Sequence, residues 1–369
     1  MRSDLPTQLF STDDLERLTR IFEIDTSLTI EDFAACDPEL LADLDVLITG
    51  WGSPRIGVAQ LDAMPRLAGI FHAAGTVKDH LDDEAWDRGI RVTSAASANA
   101  YPVAEYTLAM ILLAGKRVPD SIRGYAEDPT SYDETADPGI GNYKRTIGIV
   151  GASRVGRRVI ELLKPFDFSV LLYDPHLAAD DPILGGSTPG GATLGGATPG
   201  GATLGGATPG GATPGGANLR GPTLGGSTLG GATLVDLDTL FAESSIVSIH
   251  APLLPETRRM VGAAQLALLP DGATVINTAR APIVDQAALE SAVRDRGIRA
   301  ILDVSEPEPL PADHPLRELP GVVLTPHVAG ALGNELRRLG ECATREAELF
   351  VAGEPAEHPV TKDALIAVA

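Results

Sequence analysis

The sequence predicts an α/β protein. It has two Rossmann-like or flavodoxin-like parallel-sheet domains with a cleft between them, and a glycine-rich insertion in one. Three observations lead there. Short apolar runs that end in turn residues alternate with helical segments along most of the chain, the pattern of strands joined by crossover helices. A glycine-rich turn at residues 148–156 stands between a strand and a helix. The 369 residues, 44% of them hydrophobic, exceed what one core usually holds.

The elements follow in chain order. Ser11 and Thr12 can cap a helix running through Leu15, Leu18 and Phe22. Residues 45–50, 67–72 and 89–93 read as strands. Residues 102–117 read as one helix with Pro102 in its first turn. Residues 120–145 are polar and rich in Pro, Asp and Tyr, as in a surface connection. A second block supplies strands at 146–150, 169–173, 246–249, 274–277, 300–304 and 322–325. Helices are expected at 157–163 and 285–296, and a long amphipathic one at 334–352.

Residues 185–234 are different. They form ten pentads of the type Gly-Gly-Ala-Thr-Leu or Gly-Gly-Ala-Thr-Pro and hold 19 of the chain's 40 glycines. A period of five is not that of collagen. Repeated Gly-Gly pairs and prolines rule out a regular helix. Leucine at six of the fifth positions would suit a stacked solenoid, but proline at the other four interrupts any ladder. A disordered low-complexity loop is the expectation.

The net charge of −21 argues against nucleic-acid partners and anionic membranes. Two cysteines, Cys36 and Cys342, make no disulfide framework, so a reducing cytoplasm is expected. The N-terminus leads into no signal-like apolar run, no stretch is long enough for a membrane span, and no metal is expected.

Two constellations carry chemistry. The first is Gly151-Ala152-Ser153-Arg154-Val155-Gly156, which follows the G-x-G-x-x-G dinucleotide fingerprint except that Ser153 holds the middle position. Its Cβ narrows the pyrophosphate space, while its hydroxyl is a possible donor. Asp174 ends the next strand 18 residues after Gly156, where an acid takes the ribose hydroxyls. Pro175 and His176 offer no arginine for a 2′-phosphate, so NAD is favoured over NADP. The second constellation lies at strand ends: Arg280, Asp303 with Glu308 beyond it, and His327. Open α/β sheets bind ligands there. An arginine fork holds a carboxylate, a histidine exchanges a proton with a carbonyl or alcohol, and a carboxylate orients that histidine and favours its charged form. Each alone has an ordinary structural explanation; the conjunction carries the weight.

With these residues goes a set of motifs. They are Ala74-Gly75-Thr76, Pro102-Val103-Ala104-Glu105, the 151–156 turn with Asp174, His250-Ala251-Pro252-Leu253-Leu254-Pro255-Glu256-Thr257, Asn277-Thr278-Ala279-Arg280, residues 303–309, and Thr325-Pro326-His327-Val328-Ala329-Gly330. Together they resemble the D-isomer-specific 2-hydroxyacid dehydrogenase family over most of the chain outside the pentads. The resemblance implies an NAD-dependent oxidoreductase acting on a small 2-hydroxy or 2-oxo acid, of the hydroxypyruvate/glyoxylate-reductase or phosphoglycerate-dehydrogenase kind.

Residue by residue, the resemblance implies that Arg280 binds substrate, His327 is the catalytic acid–base and Glu308 is its partner. It places Asp303 near the nicotinamide amide. Gly151, Ser153, Arg154, Val155, Gly156, Asp174, Thr278 and Ala279 would contact the cofactor. Backbone amides of Gly75, Thr76 and Val77 would grip the substrate carboxylate. It also implies a homodimer built on the cofactor domains. The substrate domain would be discontinuous, 1–98 with 329–369, around an NAD domain at 99–328.

Several features depart from the family's pattern. Ser153 replaces the middle glycine. Ala281-Pro282 follow Arg280 where glycine is usual, and a proline pushes the residue before it toward extended dihedrals, with displacement of Arg280 as the expected risk. Ala73 stands where phosphoglycerate-oxidising relatives often carry arginine, which weakens a phosphorylated substrate. No regulatory domain is expected after residue 369. Only ten residues separate Asp174 from the pentads, where relatives have a helix and a short strand. These departures leave two alternatives beside the enzyme: an NADH-sensing, corepressor-like interaction protein, and a decayed enzyme of the same family.

Overall fold

In the computed structural model, residues 1–25, 28–78, 80–130, 139–178, 180–184 and 231–363 are described. Their strands form two sheets, and every paired strand runs parallel. The smaller sheet orders β1 (Val46–Thr49), β2 (Gly69–His72) and β3 (Arg91–Ser94) side by side.

The larger sheet contains β4 (Thr146–Val150), β5 (Ser169–Tyr173), β6 (Thr233–Leu234), β7 (Ile246–Ile249), β8 (Thr274–Asn277), β9 (Arg299–Leu302) and β10 (Val322–Leu324). Their order is β10-β9-β8-β7-β4-β5-β6. The chain winds outward one way from β4, returns, and winds the other way from β7. The reversal opens a crevice beyond the carboxyl ends of β4 and β7, where doubly wound sheets bind ligands.

Both faces of the large sheet are covered, as all-parallel sheets require. Phe241, Val247 and Val275 pack on one side, and Ile147, Ile160 and Ile276 on the other. The first predicted helix is Thr12–Ile21, with Ser11 and Asp14 closing a reciprocal capping box. The last is Leu336–Val351. Its Leu339, Ala343 and Ala347 pack with Leu9 and Phe71 against the small sheet, so the chain's two ends share one core.

Three expectations change. The long helix begins at Ala96, so Pro102 lies inside it and not in its first turn. Pro102 removes one ladder bond, but Ala98, Ala100, Val103 and Ala104 are buried, and that burial carries the helix past the break. The supposed surface connection contains another helix, Val118–Glu127, with proline near its start.

The pentad stretch also ends differently. The expectation of disorder for residues 185–230 lies outside the described residues, but residues 232–234 belong to the sheet. Ala232 bridges Leu184 in parallel, and β6 adds to β5. The short strand expected of relatives is therefore built from the last pentad. Among the described residues no helix is long and apolar enough to cross a membrane.

Candidate active site

At the crevice, Gly151 follows β4 in a backbone region suited to glycine, with φ +99°. A Cβ on Gly151 would sit 2.6 Å from the Ala251 nitrogen, and one on Gly156 would sit 2.0 Å from the Gly151 oxygen. The turn thus lies against β7 and against its own helix, Arg154–Leu163, leaving the N-terminus of that helix facing the crevice. Such a terminus suits a pyrophosphate.

Ser153 is the N-cap of this helix, and its Oγ accepts the Gly156 N–H at 3.3 Å. That bond leaves the hydroxyl proton available, so the departure from glycine supplies a donor as well as a Cβ. Val155 packs into the core and Arg154 is exposed.

Asp174 follows β5. Its Oδ2 accepts the Ala152 N–H at 2.7 Å and its Oδ1 the His176 N–H at 2.9 Å. The carboxylate is fixed beside the turn, where the ribose of a dinucleotide would lie. Close-packed glycines, a helix N-terminus and this acid together fit a dinucleotide.

The ends of β8, β9 and β10 lie level, because Leu302 pairs with both Asn277 and Leu324. The next residues therefore emerge side by side. Buried Asn277 braces the first loop: its Oδ1 accepts the Ala279 N–H at 3.0 Å and its Nδ2 donates to the Arg280 oxygen at 3.0 Å. Arg280 is extended, with φ −142° and ψ 135°. Ala281 begins a 3-10 turn, Ala281–Ile283, and is not pushed into an extended conformation by Pro282. The brace from Asn277 decides the path of the loop, and Arg280 stays at the strand end. Thr278 turns its hydroxyl inward to Thr107 at 3.1 Å, so its side chain ties the loop to the long helix.

His327 and Glu308 meet: Nδ1 lies 2.7 Å from Oε1. Both side chains are about half exposed. His327 has φ +57°, an unusual conformation for a non-glycine residue. It is held there because its N–H lies 3.0 Å from the oxygens of both Asp303 and Thr325.

Asp303, expected near the nicotinamide, is 1% exposed and committed to the same loop. Its Oδ1 accepts from Thr325 Oγ1 at 2.6 Å and from the Val328 N–H at 2.8 Å, and its Oδ2 accepts the Ala329 N–H at 2.9 Å. Tyr106 joins the network through Thr325 at 2.8 Å. Local sequence spacing did not signal the roles of Asn277, Thr325 or Tyr106.

In the smaller sheet, Gly75, Thr76 and Val77 follow β2. Among the described residues their N–H groups find no acceptor. Successive unpaired amides suit an anion. Behind them lies buried His72, with Nδ1 2.9 Å from Thr49 Oγ1. Burial, then the neighbouring His80, pushes its pKa down to about 3.

Comparison with known proteins follows the same lines. Residues 108–185 and 225–329 match the D-isomer specific 2-hydroxyacid dehydrogenase NAD binding domain. The chain is 30% identical over 317 residues to a glyoxylate reductase of Thermofilum pendens, covering 84% of this chain and 80% of that one. It is 26% identical over 340 residues to a D-3-phosphoglycerate dehydrogenase of Methanocaldococcus jannaschii, covering 92% of this chain and 55% of that one. It thus spans little more than half the length of the latter. Among solved structures, a phosphoglycerate oxidoreductase of Rhizobium etli superposes with a TM-score of 0.72 at 22% identity, over 97% of this chain and 95% of that one.

Proposed function

Because the chain belongs to the D-isomer-specific 2-hydroxyacid dehydrogenase family, we propose that it reduces a small 2-oxo acid with NADH and oxidises the matching 2-hydroxy acid with NAD. The observation that carries this reading is the His327–Glu308 pair at 2.7 Å, at the ends of the strands that also present Arg280.

The reacting groups divide the work. NADH, when bound, supplies a hydride to carbon 2 of the substrate. Glu308 accepts the Nδ1–H of His327, so Nε2 is the atom that gives a proton to the carbonyl oxygen. Arg280 holds the substrate carboxylate and polarises the carbonyl. The unpaired amides of Gly75, Thr76 and Val77 receive the same carboxylate from the other side. Asp303 acts through the loop of His327 and so counts as a positioning residue; its place beside the nicotinamide amide is not part of this proposal.

We assign residues 1–98 and 329–369 to the substrate domain and 99–328 to the NAD domain, a division supported by the shared core of the chain's two ends. A homodimer through the cofactor domains and a cytoplasmic location complete the proposal; the free thiols of Cys36 and Cys342 support the latter. Ala73 in place of an arginine favours glyoxylate or hydroxypyruvate over a phosphorylated acid.

The test is oxidation of NADH, followed by absorbance, against glyoxylate, hydroxypyruvate, pyruvate and longer 2-oxo acids. Turnover with one or more is expected. No turnover with any member, despite NADH binding, would sink the enzyme reading and leave the cofactor-sensing one.

A further inference from the structure

Arg157 lies one residue past the glycine turn, on the helix Arg154–Leu163. Its Nε donates to the Ala152 oxygen at 3.0 Å. The same Ala152 gives its N–H to Asp174 at 2.7 Å. One residue of the turn therefore holds the ribose-facing acid through its nitrogen and this arginine through its oxygen. The remaining fork of Arg157 is filled by Asp181: NH1 donates to Oδ1 at 2.7 Å and NH2 to Oδ2 at 2.6 Å.

Asp181 is itself fixed, because its Oδ1 also accepts the Ile183 N–H at 3.0 Å. The Arg157 guanidinium pulls the Asp181 pKa down to about 2, so the carboxylate is charged at any working pH. A two-pronged arginine beside the adenosine ribose is the group that recognises a 2′-phosphate. Here that fork is already occupied.

We infer that Asp181 masks Arg157, and that discrimination against NADP(H) rests on this occupied fork as well as on Asp174. The inference builds on the NAD reading above but does not follow from it. The sequence argument looked for an arginine after Asp174 and found none. The structure supplies one from the helix and shows it bound elsewhere. Removing Asp174 alone takes away a repelling charge but leaves the fork neutralised. Removing both acids would free a cation that shares Ala152 with the ribose-facing position.

The experiment measures NADH and NADPH dissociation constants by nucleotide fluorescence for wild type, Asp174→Ala, Asp181→Asn and the double variant. Asp181→Asn keeps the size of the side chain and an acceptor for Ile183. The double variant should bind NADPH on the order of tenfold more tightly than Asp174→Ala alone, and adding Arg157→Gln should erase that gain. An NADPH affinity in the double variant no better than in Asp174→Ala, or a gain that survives Arg157→Gln, would overturn the masking while leaving the NAD reading intact. If wild type binds no NADH, both readings fall together.

Discussion

His327 shows how much one side chain depends on its backbone. A left-handed φ of +57° costs a non-glycine residue energy, and the N–H shared by the Asp303 and Thr325 oxygens holds it in place. Glu308 then fixes which imidazole nitrogen faces outward. His327→Gln is expected to cut kcat by about 10²–10⁴-fold while the NADH dissociation constant stays within about twofold, as read by turnover and fluorescence titration. Glu308→Gln keeps a hydrogen-bond acceptor but removes the charge. It should lower kcat while the NADH dissociation constant holds, because the protonated imidazole loses its counter-charge. An unchanged kcat would separate Glu308 from catalysis.

At the scale of elements, the loop after β10 hangs on one buried carboxylate. Asp303 satisfies three donors at once. Asp303→Asn puts an amide N–H where at least one donor now points, so it should lower stability by about 1–3 kcal/mol and kcat together; urea denaturation and turnover check this. Tyr106→Phe, at the far end of the network, should do less of both.

The second element-scale case is the pentad segment. Leu184 and Ala232 are bridged, and β6 completes the sheet edge. The residues that flank the segment therefore meet at one place in the fold, and Asp174 keeps its contact to the turn. Replacing residues 185–230 by a short Gly-Ser linker should leave NADH affinity and Tm nearly unchanged. A loss of cofactor binding would show that the segment contributes to the pocket.

At the scale of the molecule, two buried imidazoles, His72 and His250, and the half-buried His80 tie stability to pH. Burial holds the pKa of His250 and of His72 at about 3, and of His80 at about 4. In the unfolded chain all three bind protons below about pH 6.5. The unfolded state then takes up more protons than the folded one, so stability falls as pH drops from about 6.5 toward 4. Above that range these groups add no slope. Tm should decline over this window, and His72→Asn, which keeps a partner for Thr49, should flatten the decline. Equal slopes in the two proteins would refute the assignment.

The sequence by itself determined the α/β class, most of the strands and the glycine turn with Asp174 beyond the next strand, and it named Arg280, Glu308 and His327 as candidates. Such features are local: alternation of apolar runs, turn residues and motif spacing are written along a few adjacent positions. Only the tertiary structure decided what each polar group touches. It brought Glu308 to His327, tied Asp303 to the loop that carries His327, and returned the last pentad to the sheet. It also placed Asp181 on Arg157 across 24 residues. Hydrogen-bond partners depend on distances between segments that meet only after packing. A motif therefore names the groups, and the fold assigns their partners.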